Sequence, residues 1–450
     1  MLLGRAPLCR RRVWQPHPTP APTERRPPRK SGRAARGPRE PGPLKGGAAP
    51  GLLSHRQEVT GVVLAQVGRF EDGFEAGAVD DNPTAPLLPL RAMGADIFQV
   101  FGMDQSYFTR KVTGFLDHKR IHWTLRRCSS TPPDLVARGF PGGMPGVETP
   151  QGELMWDSTA MICYLDGRFP AASVLPNDPV CLFLAYLIDD VCDEWLYRPA
   201  VGTRWFIAEN TQVAGFELAR DVTVQLPISA DQAREMAAAF VRSSCSPLGV
   251  TAENIQAWID DVLRPWTRVL AQHFESAPYL FGARPSLADF AIFGGSVAHF
   301  ANDPACRRWL DEDATALVRH THRLLEPIAQ QHGEWLAPGD VPETLIAILA
   351  EAGRLYLPWV AAATARGEAE VAFPSGPRTT IRATDFLCDA RAVLLARYKA
   401  LRSAALDAVL DRAGILRFFT DHVSQAGTVP TWNAPPQPRL NRPYPPENER

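Results

Sequence analysis

The stretch "GGMPGVETPQGELMWDST", residues 142 to 159, combines two features with a chemical use. Met144-Pro145 precedes a strand-like run, and X-Pro is the peptide bond that takes the cis form within about 1 kcal/mol of trans. A cis junction here would turn the chain sharply and leave the Met144 N–H and C=O facing outward, open to pairing with an extended peptide. Twelve residues after Pro145 come Asp157 and Ser158, at the start of a helical run. A helix's first turn offers unpaired N–H groups and the positive end of its dipole, which suit a carboxylate. Ser158 adds a hydroxyl donor and Asp157 an acceptor. On the plainer reading, Met-Pro is only a turn and Asp157-Ser158 only a helix cap.

The elements that must hold these residues can be read around them. "IFQVF" from Ile97 is a short buried strand. In "SYFTRKVTGFLDHKR", Phe108, Val112 and Phe115 make the stripe of an amphipathic helix. "IHWTL" is a second strand, and its parallel return after a helix makes a βαβ unit. "GVE" and "ELMW", split by Thr149-Pro150-Gln151-Gly152, read as a hairpin. From Ser158 the chain is helical, with Ile162, Leu165 and Phe169 on one face. This order, βαβ then ββα, gives a small α/β domain over residues 95–170.

"PAASVLPNDP" is a linker, and residues 179–335 then read as all helical. Two helix starts are marked there, Thr251-Ala-Glu-Asn and Ser286-Leu-Ala-Asp289, the second as a reciprocal cap. Residues 340–420 form a further segment with a helix interrupted by Pro358, a hairpin around "EVAFPSGPRTTIR" and a long helix from Ala383 to Ala413, closed by Gly414. Residues 426–450 are a Pro-rich tail. Residues 1–92 are rich in Arg, Pro, Gly and Ala with little apolar periodicity, and read as disordered. An organellar transit peptide, a basic arm or a true start at Met93 are the competing readings of that segment.

The 450 residues carry a formal net charge of −1, with 45% hydrophobic residues. Residues 1–50 hold 12 Lys+Arg against 2 Asp+Glu, so the basic charge sits at one end and the rest is acidic. Such a balance gives no global pull toward nucleic acid or membrane, and no run approaches the roughly 20 apolar residues of a membrane-spanning helix. The eight cysteines form no C-x-x-C pair, which argues against a zinc knuckle or dithiol motif and suits reduced cytoplasmic thiols. His320 and His322, two apart on a helix, are expected on the surface and not on a metal.

A βαβ-ββα domain with a proline before its third strand, followed by an all-helical domain, resembles the glutathione S-transferase superfamily. "GGMPGVETPQGELMWDSTAMICYLDGRFP" is similar to that family's cis-proline, hairpin and glutathione-binding helix start. "SYFTRKVTGFLDHK" is similar to its first helix, and "YLFGARPSLADFAIFG" to the capping box of its second domain. The resemblance covers about residues 95 to 330 and implies a thioredoxin-like N-terminal domain followed by an all-α domain.

It also implies roles. Met144 and Pro145 would grip the cysteinyl part of glutathione, Ser158 the γ-glutamyl carboxylate and Asp157 its ammonium. The family's common residue at that last place is Glu, one methylene longer. A free thiol has a pKa of about 8.5, so the chemistry needs a hydroxyl that favours the thiolate. The tyrosine that some members carry at the end of the first strand is Phe101 here, which has no hydroxyl. The serine that others carry at the start of the first helix is Ser106, the expected thiolate donor, unless it is a mere N-cap. Tyr107 follows it where the family has a small residue, and is expected at the substrate pocket. "DDVCDEWLYRPAVGTRWF" supplies Trp195 and Arg198 for the same pocket, with Arg204 as a further cation for an acidic substrate.

The expected function is therefore a serine-type, bacterial-like glutathione transferase acting on a small hydrophobic electrophile. Glutathione is its co-substrate, no metal is expected, and the protein is cytoplasmic and homodimeric. The rival readings are a non-catalytic binding or scaffold protein on the same fold, as in elongation factor one gamma or metaxins, and a glutathione-dependent isomerase or dehalogenase.

Overall fold

A computed structural model describes residues 97–128, 131–140, 142–223, 228–326 and 333–427. The basic segment 1–92, Met93 and all but the first two residues of the Pro-rich tail lie outside them.

The chain opens with β1 (Phe98–Gly102), α1 (Tyr107–His118) and β2 (Trp123–Arg127). A short α2 (Pro133–Ala137), β3 (Gly146–Glu148), β4 (Leu154–Met155) and α3 (Ser158–Arg168) follow. The strands form one sheet in the order β2-β1-β3-β4, with β1 parallel to β2 and antiparallel to β3, and β3 antiparallel to β4. This is the thioredoxin-like arrangement expected from the βαβ-ββα reading. Val112, Phe115 and Leu116 of α1 are fully buried, as are Val100 and Val147 of the sheet.

The second domain is helical: α4 (Pro179–Val191), α5 (Tyr197–Phe206), α6 (Ala208–Thr223), α7 (Ala230–Cys245), α8 (Ile255–Trp258), α9 (Arg264–Ser276), α10 (Leu287–Gly295), α11 (Pro304–Asp313) and α12 (Thr315–Leu325). A π-helical turn over Cys192–Leu196 joins α4 to α5. The first domain docks on α10 through glycines. A Cβ on Gly294 would lie 2.6 Å from the Tyr107 carbonyl oxygen, and one on Gly114 would lie 2.4 Å from the Phe293 ring. Only hydrogen at these positions lets α1 and α10 approach so closely.

The expected cap at Ser286 is present, with Ser286 Oγ accepting from the Asp289 N–H and Asp289 Oδ2 accepting from the Ser286 N–H at 2.8 Å. Asp289 does more than cap, since its Oδ1 accepts from the Leu280 N–H at 3.0 Å and lies 2.9 Å from His320 Nε2. His320 is thus fully buried, stacked on Phe274 at 4.0 Å, which corrects its expected surface position. The physical reason is the buried carboxylate, which gives the ring nitrogen a partner. His322 is exposed as expected.

Residues beyond 340 form α13 (Glu343–Arg354), α14 (Tyr356–Arg366), the hairpin β5 (Glu368–Ala372) and β6 (Arg378–Arg382), α15 (Asp385–Leu401), α16 (Ala404–Arg412) and a single turn α17 (Arg417–Thr420). Pro358 does not interrupt a helix. It is the third residue of α14, where the missing N–H is one the first turn leaves unpaired anyway. The long helix expected over Ala383–Ala413 is two helices. Arg402 takes an extended ψ of 130° and the Ser403 side chain caps α16 by accepting from the Leu406 N–H. Gly414 follows with φ +71°. The segment packs on the helical domain: Phe183 meets Tyr398 and Phe419, and Trp258 meets Phe373. Among the described residues no single helix is long and apolar enough to cross a membrane.

Candidate functional site

Strand register brings the separate stretches to one end of the sheet. Gly146, which opens β3, pairs with Phe101 near the end of β1, and Met155, which closes β4, pairs with Val147. The start of β3 therefore lies beside the ends of β1 and β4. Met144-Pro145 leads into the first, Ser106 follows the second by a short turn, and Asp157-Ser158 follows the third.

Ser106 is the N-cap of α1, in extended geometry, and its Oγ accepts from the Thr109 N–H at 3.3 Å. It is half-buried, and no described residue accepts its own hydroxyl proton. Cap and donor are compatible roles, because accepting from Thr109 leaves the O–H free to donate. Phe101 is buried at the end of β1 and supplies no hydroxyl. Tyr107 does not line an open pocket. It is 1% exposed, with its ring against Tyr197 and His299, and burial, then Cys192 and Asp193 nearby, push its hydroxyl pKa well above the ordinary value. It is a core residue between the two domains.

The Met144-Pro145 bond is cis. Gly142 and Gly143 precede it with φ of +101° and +86°, values that favour glycine. Pro145 is buried, while Met144 is half-buried, and its main-chain N–H and C=O have no partner among the described residues. Ser158 is 7% exposed, and no described residue accepts its hydroxyl. Asp157 is exposed, with φ +71°, and its Oδ1 accepts from the Thr159 and Ala160 N–H groups at 3.2 and 3.3 Å. It caps α3 itself and so fills two of the N–H groups expected to meet a ligand. Its other oxygen and the Ser158 N–H and hydroxyl remain.

Sequence reasoning missed a buried polar cluster beneath this helix start. Lys111 of α1 is fully buried, its Nζ 2.6 Å from Asp189 Oδ1, 2.6 Å from Asp193 Oδ2 and 2.9 Å from Thr159 Oγ1. The Thr159 hydroxyl donates to Asp189 Oδ2 at 2.7 Å. Burial alone would lower the Lys111 pKa, but the two carboxylates hold it above the usual lysine range. The same surroundings raise Asp193, through burial opposed by Lys111. Next to it, burial and the neighbouring Asp190 and Asp193 push Glu194 up to about 8, against Arg198. The signals were a lysine on an apolar helix stripe, one turn before Phe115, and carboxylates at i and i+4 in "DDVCDE".

Trp195 and Arg198 do not line an open pocket. Trp195 is 1% exposed, its ring packed on Trp258, Tyr356 and Trp359 at 4.7, 5.7 and 5.3 Å. Arg198 donates to the Glu194 and Leu248 carbonyls and lies over the Trp359 ring at 4.6 Å. Aromatic residues of α14 thus cover the face of the helical domain where substrate contacts were expected. Arg204 is likewise a structural cation, forked on the buried Asp303. A cavity of 480 Å³ lies elsewhere, lined by Arg110, Thr113, Asp117, Ile121, His122 and Phe293 among others, and includes none of the predicted site residues. Burial pushes the Cys163, Cys181 and Cys306 thiols up to about 12, which leaves none of these a ready nucleophile.

Residues 100–173 match the family described as glutathione S-transferase, N-terminal domain. No curated protein matches the chain. Among solved structures, a glutathione S-transferase from Methylobacterium radiotolerans in complex with glutathione sulfonate is 16% identical, over 51% of this chain and 90% of that one, with a TM-score of 0.32. A glutathione transferase from Pseudomonas putida, with one glutathione disulfide bound per subunit, is 14% identical over 51% and 87%, at 0.31. A GST-like protein from Pseudomonas syringae is 15% identical over 58% and 74%, at 0.34.

Proposed function

We propose that the protein binds glutathione at the shared end of the sheet and activates its thiol for attack on a small hydrophobic electrophile. The observation that carries this reading is the convergence of Ser106, Met144 and Ser158 at that end, each with an unpartnered polar group, within a segment matching the glutathione S-transferase N-terminal domain. The Met144 main chain pairs with the cysteinyl part of the tripeptide. The Ser158 N–H and hydroxyl take the γ-glutamyl carboxylate, and the free oxygen of Asp157 takes the ammonium.

The sulfur then lies near the start of α1, where the Ser106 hydroxyl donates to it and lowers its pKa toward neutrality. The thiol gives its proton to solvent, and the thiolate forms the C–S bond to the electrophilic carbon as the bond from that carbon to the leaving group breaks and the leaving group departs with the electron pair. In an addition the neighbouring atom takes a proton from solvent instead. A homodimer in the cytoplasm is part of the same proposal.

The covered faces of Trp195 and Arg198 favour a second reading, a glutathione-binding protein without turnover. Retention on immobilised glutathione, followed by a conjugation assay with a small aromatic electrophile, separates the two. Retention with turnover supports the enzyme, retention without it the binding protein, and no retention removes both.

A further inference from the structure

Ser106 and Ser158 start two different helices, α1 and α3, so a single ligand can meet both only if those helices keep a fixed spacing. Both helices pack into one core with the sheet, where non-directional apolar contacts alone do not fix one start against the other. The buried cluster does connect them. Lys111 lies on α1 five residues after Ser106, and Thr159 is the residue after Ser158. The lysine donates directly to the threonine hydroxyl at 2.9 Å, and both are held by Asp189 of the helical domain, at 2.6 and 2.7 Å. Asp193, one turn on and inside the π-helical segment, closes the cluster on Lys111 at 2.6 Å.

We propose that Lys111, Asp189, Asp193 and Thr159 form a positioning device that locks the two helix starts in register, so that the thiol end and the γ-glutamyl end of glutathione are gripped at once. This rests on the glutathione-binding reading above. The cluster suits the task because Lys111 and Asp189 are buried, with Thr159 and Asp193 half-buried against them. A slip of either helix would leave a buried ammonium or carboxylate unpaired, which folded proteins strongly disfavour. Thr159 is its most informative member, since its hydroxyl both accepts from Lys111 and donates to Asp189 while its methyl contributes only bulk. Removing the charge of Lys111 would threaten folding, whereas Thr159→Val deletes one oxygen and keeps the shape.

The test compares wild type, Thr159→Val and Thr159→Ser. Hydrogen exchange is followed on peptides covering 106–113 and 157–163, with 287–295 as an internal reference, and glutathione binding is measured by calorimetry. The expected result for Thr159→Val is faster exchange confined to the first two peptides and glutathione affinity lower by about tenfold or more. Thr159→Ser restores both. Faster exchange across all three peptides would reduce the cluster to general stability and overturn the proposal. So would unchanged exchange, or altered exchange with unchanged affinity. A wild-type protein that does not bind glutathione overturns the reading on which the proposal rests, whatever the exchange shows.

Discussion

Arg204 Nη1 donates to the carbonyl oxygen of Gln105 at 2.9 Å, so a side chain of the helical domain holds the residue just before Ser106. The same guanidinium is forked on Asp303, at 3.0 Å from Nε and 2.8 Å from Nη2, and also meets the Ala298 carbonyl. Both side chains are almost wholly buried. Arg204→Ala leaves the buried Asp303 carboxylate without its cation and should cost about 3–5 kcal/mol in urea unfolding. Arg204→Lys keeps the charge but loses the planar fork, and should fall between. A loss under about 1 kcal/mol for the alanine variant would show that the pair is not held as described.

Ser106→Ala separates cap from chemistry. Loss of the cap should lower stability by about 0.5–2 kcal/mol. If the hydroxyl also stabilises the thiolate, turnover with glutathione falls by about tenfold or more while glutathione affinity stays nearly constant. Equal turnover in the variant refutes the assigned role.

Gly294→Ala should destabilise, against the usual helix trend. In an ordinary helix interior the change gains about 1 kcal/mol. Here the added carbon would sit 2.6 Å from the Tyr107 carbonyl oxygen and 2.8 Å from Lys111 Cβ, so α1 must move away. A loss of about 1–3 kcal/mol is expected, read from the urea midpoint. A gain would mean that α1 and α10 do not pack so closely.

The acidic run before Trp195 predicts a pH dependence. Glu194 titrates at about 8 in the folded protein, chiefly through burial, and at its ordinary value when unfolded. Between about pH 4.5 and 8 the folded state therefore binds more protons at this site, and stability falls as pH rises. It is fully present below the unfolded pKa and lost as pH passes through the folded one. Glu194→Gln should melt nearly like wild type at pH 4.5 and several degrees higher than wild type at pH 8.5. A constant difference across that range would contradict the assignment.

What the sequence made legible was local. The Ser286–Asp289 box, the cap at Ser106, the proline before β3 and the helix start at Ser158 each depend on residues within a few positions of one another, and each was found where expected. Pairings across the fold were not legible. His320 was expected outside because its partner, Asp289, lies 31 positions away. Trp195 and Arg198 were expected at a pocket because nothing in their neighbourhood announces Tyr356 and Trp359 of α14. Lys111 left a trace, a cation on an apolar stripe, but its partners Asp189 and Asp193 lie on another domain. The break at Ser403 looked like continuous helix because Ser is tolerated inside one. The extended Arg402, the Ser403 cap on the Leu406 N–H and the Tyr398 and Arg402 bonds to Asp407 distinguish it.

Titration of the purified chain with reduced glutathione by calorimetry addresses the central claim most directly, run beside Ser158→Ala. The account predicts saturable binding of one tripeptide per chain, weakened by about tenfold or more when the hydroxyl at the start of α3 is removed. No heat at millimolar glutathione, or identical isotherms for the two proteins, would contradict it.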